Sequence, residues 1–80
     1  MNDKAIHEHI EELVAEEHRL YEQGDNRALR PEEISRLDEL NAQLDRYYDL
    51  LRQRRAKREF GEDPDRARLR SRKTVENYVE

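Results

Sequence analysis

Three histidines stand among acids in HEHIEELVAEEH, residues 7–18, and that mixture raises metal chemistry first. On a helix His7 and His9 project about 200° apart, because each residue turns the chain by about 100°, so they cannot chelate one ion. His7 and His18 share a face but lie roughly 16 Å apart along the axis. Helical di-iron carboxylate sites use Glu-x-x-His, with a Glu three residues before a His. Here Ile6 precedes His9 by three and Ala15 precedes His18 by three, so the motif is absent. His9 with Glu12 or Glu16 offers only weak ligation, best across a dimer. The stretch reads as a solvated acidic face, with no metal and no cofactor expected.

Covalent catalysis has equally little to work with. The hydroxyl nucleophiles are Ser35, Ser71 and Thr74, none with a histidine nearby in sequence, and there is no cysteine. Only Gly24 and Gly61 are present, too few for a phosphate-cradling loop. The expectation is a protein that is not an enzyme.

The chemistry that remains is charge. In LLRQRRAKR, residues 50–58, two leucines are followed by Arg52, Arg54, Arg55, Lys57 and Arg58, and Arg66, Arg68, Arg70, Arg72 and Lys73 add a second basic run. Residues 1–51 hold 14 acids and six bases, net −8, whereas residues 52–80 hold six acids and ten bases, net +4. A chain so divided attracts itself, a second copy, or a foreign anion. Arginine's planar fork suits carboxylate and phosphate alike. Ten bases in 29 residues favour nucleic acid or the ribosome, bound through phosphates by residues 52–73. The isoelectric point near 5.4, the interspersed acids and the acidic N-terminal half argue against it. An acidic protein surface is the preferred partner for Arg52, Arg54, Arg55, Lys57, Arg58, Arg66 and Arg68.

These side chains must be positioned by helices, because nothing else is written in the pattern. Ile6, Ile10, Leu13, Val14, Leu20 and Tyr21 recur every three or four residues, interrupted at Glu17, and predict a helix over 3–23 stopped by Gly24. Pro31 suits a first helical position, Glu32 and Glu33 complement the dipole there, and Arg30 falls at the cap. Leu29 and Ile34 occupy the positions of a hydrophobic staple. From Pro31 no breaker intervenes before Gly61, so a second helix is expected over 31–60. Its seam is Ile34, Leu37, Leu40, Leu44, Tyr47, Tyr48 and Leu51.

A loop of about seven residues should fold the two helices back antiparallel. With the turn near Arg27, Leu20 faces Ile34, Ile10 faces Leu44, and Ile6 faces Tyr47 or Tyr48. The first helix then runs out near Tyr48, leaving the basic segment as an overhang whose cations lack a hairpin partner. The fold class is all-α: a hairpin domain, 1–60, and a charged C-terminal segment, 61–80. That segment is either a short helix from Asp63-Pro64 through Leu69, with another turn or two in TVENYVE placing Val75, Tyr78 and Val79 on one side, or a disordered charged tail.

A chain with 34% hydrophobic and 45% charged residues is marginal as a lone hairpin. A homodimer forming a four-helix bundle, or coiled coil, is therefore expected, with Ile10, Leu13, Leu37, Leu44, Tyr47, Tyr48 and Leu51 at the interface. Glu17 in the seam either reaches solvent or pairs with Arg36 or Arg19 across subunits. Of the adjacent tyrosines, one should enter the core and the other an interface. Antiparallel hairpins with acidic tips can also probe the channel of a large enzyme, but here Arg27 and Arg30 sit among the acids of the tip. No apolar run reaches the roughly 18 residues of a membrane span, and the acidic N-terminus lacks a signal-peptide layout, so a cytoplasmic protein is expected.

The segment LDELNAQLDRYYDLLRQRRAKREFGEDPDRARLR, preceded by ELVAEEHRL and followed by VENYV, resembles a family of short actinobacterial proteins, domain of unknown function 2630. Its most specific parts are Asp49 to Ala56, the Asp63-Pro64 step, and Val75-Glu76 with Tyr78. At Tyr47-Tyr48 the family pattern looks like Cys-Trp, so a role for that cysteine cannot apply here. The resemblance implies a whole small protein and brings no activity, partner or catalytic residue.

Overall fold

The computed structural model describes the backbone of residues 1–79 and the side chains of residues 1–76. Helix α1 spans Asp3–Asn26 and helix α2 spans Pro31–Glu59, followed by a 3₁₀ turn at Pro64–Arg66 and helix α3 at Arg72–Val79. No strand occurs among the described residues, so the chain is all-α. The expected placement of Tyr78 and Val79 beside Val75 falls outside the described side chains.

α1 begins where Asn2 accepts the Ala5 N–H at 2.8 Å, an N-cap that satisfies one of the first-turn donors. It does not stop at Gly24. The helix continues to Asn26, whose side chain donates to the Glu22 carbonyl, and breaks only at Arg27, where the backbone turns extended. A Cβ at Gly24 would make ordinary contact with the Leu29 side chain, at 3.4 Å from its Cγ. The connection is thus residues 27–30, shorter than expected. Its clamp is Arg27, which donates from both terminal nitrogens to the Glu33 carboxylate at 2.8 Å. Glu33 also accepts the Arg30 N–H at 2.9 Å, the return half of a capping box. Arg27 first, then the Arg30 amide, holds the Glu33 carboxyl down to about 2. The staple leaves Ile34 56% exposed.

α2 ends in a Schellman motif. Glu62 N–H reaches the Lys57 carbonyl at 2.7 Å and Gly61 N–H the Arg58 carbonyl at 3.2 Å. Gly61 sits at φ +72°, a left-handed conformation that other residues adopt only at a cost. Here the sequence reading and the structure agree to within a residue.

The hairpin core is small. Ile6, Ile10, Leu44 and Leu50 form one buried cluster, against which Leu13, Val14, Tyr47, Leu51 and Ala67 pack. Leu40 and Val75 are buried outside it. Ala67 and Val75 come from the C-terminal segment, which folds back along α2. Of the two readings left open for residues 61–80, the helical one holds in part: the helix expected through Leu69 is only the 3₁₀ turn at 64–66, residues 72–79 are helical, and 67–71 between them are neither helix nor strand. The molecule measures 50 × 26 × 15 Å. No helix among the described residues is long and apolar enough to cross a membrane.

Candidate functional site

The arginine-rich end is built where α1 begins and α2 finishes. The Asn2 cap sets Asp3 in the first turn of α1, opposite the last turns of α2. Arg54 Nε donates to Asp3, and Arg58 Nη2 approaches the same carboxylate at 2.9 Å. Two hydrogen bonds from guanidinium groups, Arg54 first and Arg58 next, hold the Asp3 carboxyl below its ordinary 3.8. Arg54 Nη1 also donates to the Pro64 carbonyl at 3.1 Å and to Asp65 at 3.0 Å. One side chain, 5% exposed, therefore ties together α1, α2 and the 3₁₀ turn.

This overturns the overhang. α1 does not run out near Tyr48, because Asp3 reaches four and more residues beyond Leu50, and Arg54 has the hairpin partner it was expected to lack. Lys57 lies 3.7 Å from Glu62, and Arg52 lies 3.9 Å from Asp49. The side chains of Arg55, Arg66 and Arg68 are exposed and have no acid partner among the described residues. Of the seven bases read as partner-binding, Arg54 is thus internal, Arg58 and Lys57 are engaged, Arg52 is loosely held, and three stand free. Phe60, 81% exposed, stands one residue beyond the end of α2.

A polar stripe on α2 holds the stretch 67–71, which is neither helix nor strand, and the sequence reading missed it. Gln53 donates to the Arg68 carbonyl at 2.8 Å and accepts its N–H at 3.5 Å. Arg46 donates to the Arg70 carbonyl at 2.8 Å. Asp49 is buried, accepts from Gln53 at 2.9 Å and faces Arg70 at 3.5 Å. Farther along, Arg72 grips Asp38 through both terminal nitrogens at 2.9 and 3.1 Å and Glu76 at 2.7 Å. Arg46, Asp49 and Gln53 recur at helical spacing, a signal that a search for apolar periodicity passes over.

The residues read as an oligomer interface divide in the same way. Ile10 and Leu44 are buried within the single chain's own core. Leu13, Tyr47 and Leu51 pack against that core, Leu37 is half-buried, and Tyr48 is exposed. Tyr47 stacks on His9 with centroids 5.4 Å apart. Arg36 pairs with Glu16, not with Glu17, and also reaches Glu39 at 3.1 Å. That contact lowers the Glu16 carboxyl from its ordinary value. Glu17 is half-buried.

Among the described residues no group of three or more His, Cys, Asp or Glu side chains is arranged to hold a metal ion. A hollow between α2 and α3 is lined by Asp45, Tyr48, Arg52, Val75 and Glu76, a set without serine or histidine. What the end of the molecule can do chemically is present guanidinium groups and an exposed phenyl ring.

A family model described as "Protein of unknown function (DUF2630)" matches residues 2–80. Uncharacterized proteins of Mycobacterium bovis and Mycobacterium tuberculosis are each 44% identical over 72 residues, covering 89% of this chain and 83% of their own. No solved structure matches the chain.

Proposed function

Since the chain belongs to the DUF2630 family, whose function is unknown, we propose a role from its own geometry. It is a non-enzymatic, self-associating helical interaction protein whose arginine-rich end docks on an acidic protein surface. The observation that carries the reading is the set of cations left over once the fold has satisfied itself. Among the described residues Arg55, Arg66 and Arg68 are exposed without acid partners, and Phe60, just past the end of α2, is exposed as well. Arginine and aromatic side chains are enriched among interface anchors.

Self-association is supported by surface. The chain exposes 6015 Å², against about 5200 Å² for a compact monomer of its mass. The difference is close to the roughly 800 Å² that one partner contributes to a standard interface. Tyr21, Ile34 and Tyr48 are among the large apolar side chains left outside.

Fluorescence anisotropy against labelled poly-glutamate and against duplex RNA tests the docking. Poly-glutamate should bind at about 150 mM salt, where the Debye length is short. The triple variant Arg55→Glu, Arg66→Glu, Arg68→Glu should bind it at least tenfold more weakly while keeping the helical spectrum. If duplex RNA binds more tightly than poly-glutamate, with log affinity falling by about 0.9 per phosphate contact against log salt, the phosphate reading replaces this one.

A further inference from the structure

Ser71 lies at the end of the irregular stretch 67–71 and is exposed. Its Oγ is 2.9 Å from Thr74 Oγ1 and accepts the Thr74 N–H at 3.2 Å, while its carbonyl accepts the Val75 N–H at 3.1 Å. In RARLRSRKT, residues 66–74, cations stand five, three and one residues before Ser71 and one and two after it. The fold engages Arg72 with Asp38 and Glu76, but Arg66 and Arg68 keep free side chains. The two guanidinium groups upstream of an exposed hydroxyl, in a stretch that is neither helix nor strand, are therefore open to a partner.

The other hydroxyls lack this setting. Ser35 is inside α2, between Glu32 and Glu33 on one side and Asp38 and Glu39 on the other. Thr74 has its backbone within α3 and its Oγ1 against Ser71.

We propose that Ser71 is a phosphoacceptor for a protein kinase with an acidic substrate groove, which reads Arg66 and Arg68, and that the phosphate weakens docking by the arginine-rich end. Kinases select substrates by such charge patterns. In the transfer, Ser71 Oγ attacks the γ-phosphorus of a nucleoside triphosphate. The Oγ–P bond forms as the bond to the β–γ bridging oxygen breaks, nucleoside diphosphate leaves, and the hydroxyl proton passes to a carboxylate of the kinase. The product adds about −1.5 to −2 charge at neutral pH. It does so at the N-terminus of α3, where the helix dipole favours an anion. Against the +4 of residues 52–80, the change roughly halves the charge available to an acidic partner.

The site itself stands apart from the proposed docking, whereas its effect rests on it. The full chain is incubated with radiolabelled ATP and either a basophilic kinase of the cyclic-AMP-dependent class or an acidophilic kinase as control. The basophilic enzyme should place one phosphate on Ser71, located by mass spectrometry. Arg66→Ala with Arg68→Ala should lower its kcat/KM at least tenfold with the helical spectrum unchanged. Absence of label, label on another residue, or label on Ser71 that ignores the double variant overturns the site. The phosphorylated chain should then bind poly-glutamate several-fold more weakly than the unmodified one. Equal binding of both overturns the switch and leaves the docking; absence of binding by the unmodified chain overturns the docking and the switch, and leaves the site.

Discussion

Replacing Arg54 with alanine removes a guanidinium that three segments share. It donates to Asp3, to Asp65 and to the Pro64 carbonyl, and is itself 5% exposed. A hydrogen bond to a charged group contributes about 1.5–3 kcal/mol when well shielded. Here the Asp3 side chain is 37% exposed and that of Asp65 69%, so both carboxylates rehydrate once the partner is gone. Each pair is therefore placed nearer the roughly 0–1 kcal/mol of surface ion pairs. With the lost donor to Pro64 and the vacated volume, the expected destabilisation is about 2–3 kcal/mol. For 80 residues, total stability is about 4–12 kcal/mol, and a chain this size loses about 4–8 °C of Tm per kcal/mol. Thermal unfolding followed by circular dichroism, at fixed protein concentration, should show a Tm lowered by roughly 10–20 °C. Arg55→Ala, which loses no partner, should stay within about 0.5 kcal/mol of wild type. Acid provides an internal check. The folded-state pKa of Asp3 is depressed, so its contribution is present above its ordinary 3.8 and disappears as pH falls through the lower folded value. The gap between wild type and Arg54→Ala should narrow below that pH. A gap under about 0.5 kcal/mol at neutral pH, or one equal to that of Arg55→Ala, would refute the clasp.

Two further outcomes follow from the helix ends and the exposed faces. Gly61→Ala forces a side chain into φ +72° and should cost about 1 kcal/mol. Gly24→Ala, inside α1 with Leu29 at 3.4 Å, should gain up to about 1 kcal/mol of helix propensity if Leu29 yields, and urea midpoints compare the two. Sedimentation velocity across a concentration series should show the chain associating, and Tyr48→Asp should shift it towards monomer. A folded monomer at micromolar concentration in the wild type would end the self-association reading.

The hairpin was legible because its signals are local. Pro31, Gly61 and the apolar spacing of both helices each act over a turn or two; the helices start and stop close to where Pro31 and Gly61 put them, while Tyr21, Ile34 and Tyr48 of the expected seams stay exposed. Gly24 misled for a physical reason: glycine tolerates a helix interior at modest cost, so α1 passes through it to Asn26 and ends only at Arg27. The overhang misled because it was laid out from a loop three residues too long. A longer α1 and a shorter turn carry Asp3 alongside Arg54. The C-terminal path was invisible to hydrophobic periodicity, since Arg46, Asp49, Gln53 and Arg54 hold it through polar bonds. Among its described residues Ala67 and Val75 supply the apolar contacts found in the interior.

That difference in adhesive separates the molecule into two grades of stability. The hairpin is held by a leucine and isoleucine cluster that excludes water along α1 and α2. The arm from 62 to 76 is held by guanidinium, amide and carboxylate groups with one buried valine near its end. Segments with few buried apolar contacts open at lower free energy than the core they lie on. The arm can therefore lift from α2 while the hairpin stays folded, and lifting returns the buried Arg54 and the half-buried Arg70 to solvent and frees the already exposed Ser71 from the surface of α2. A kinase groove that must surround Ser71 meets it in this local opening, without unfolding of the hairpin. The same opening enlarges the set of cations offered to an acidic partner. Arg54→Ala loosens the arm and should therefore speed phosphorylation of Ser71 even as it lowers Tm, a combination that a purely global loss of structure would not give.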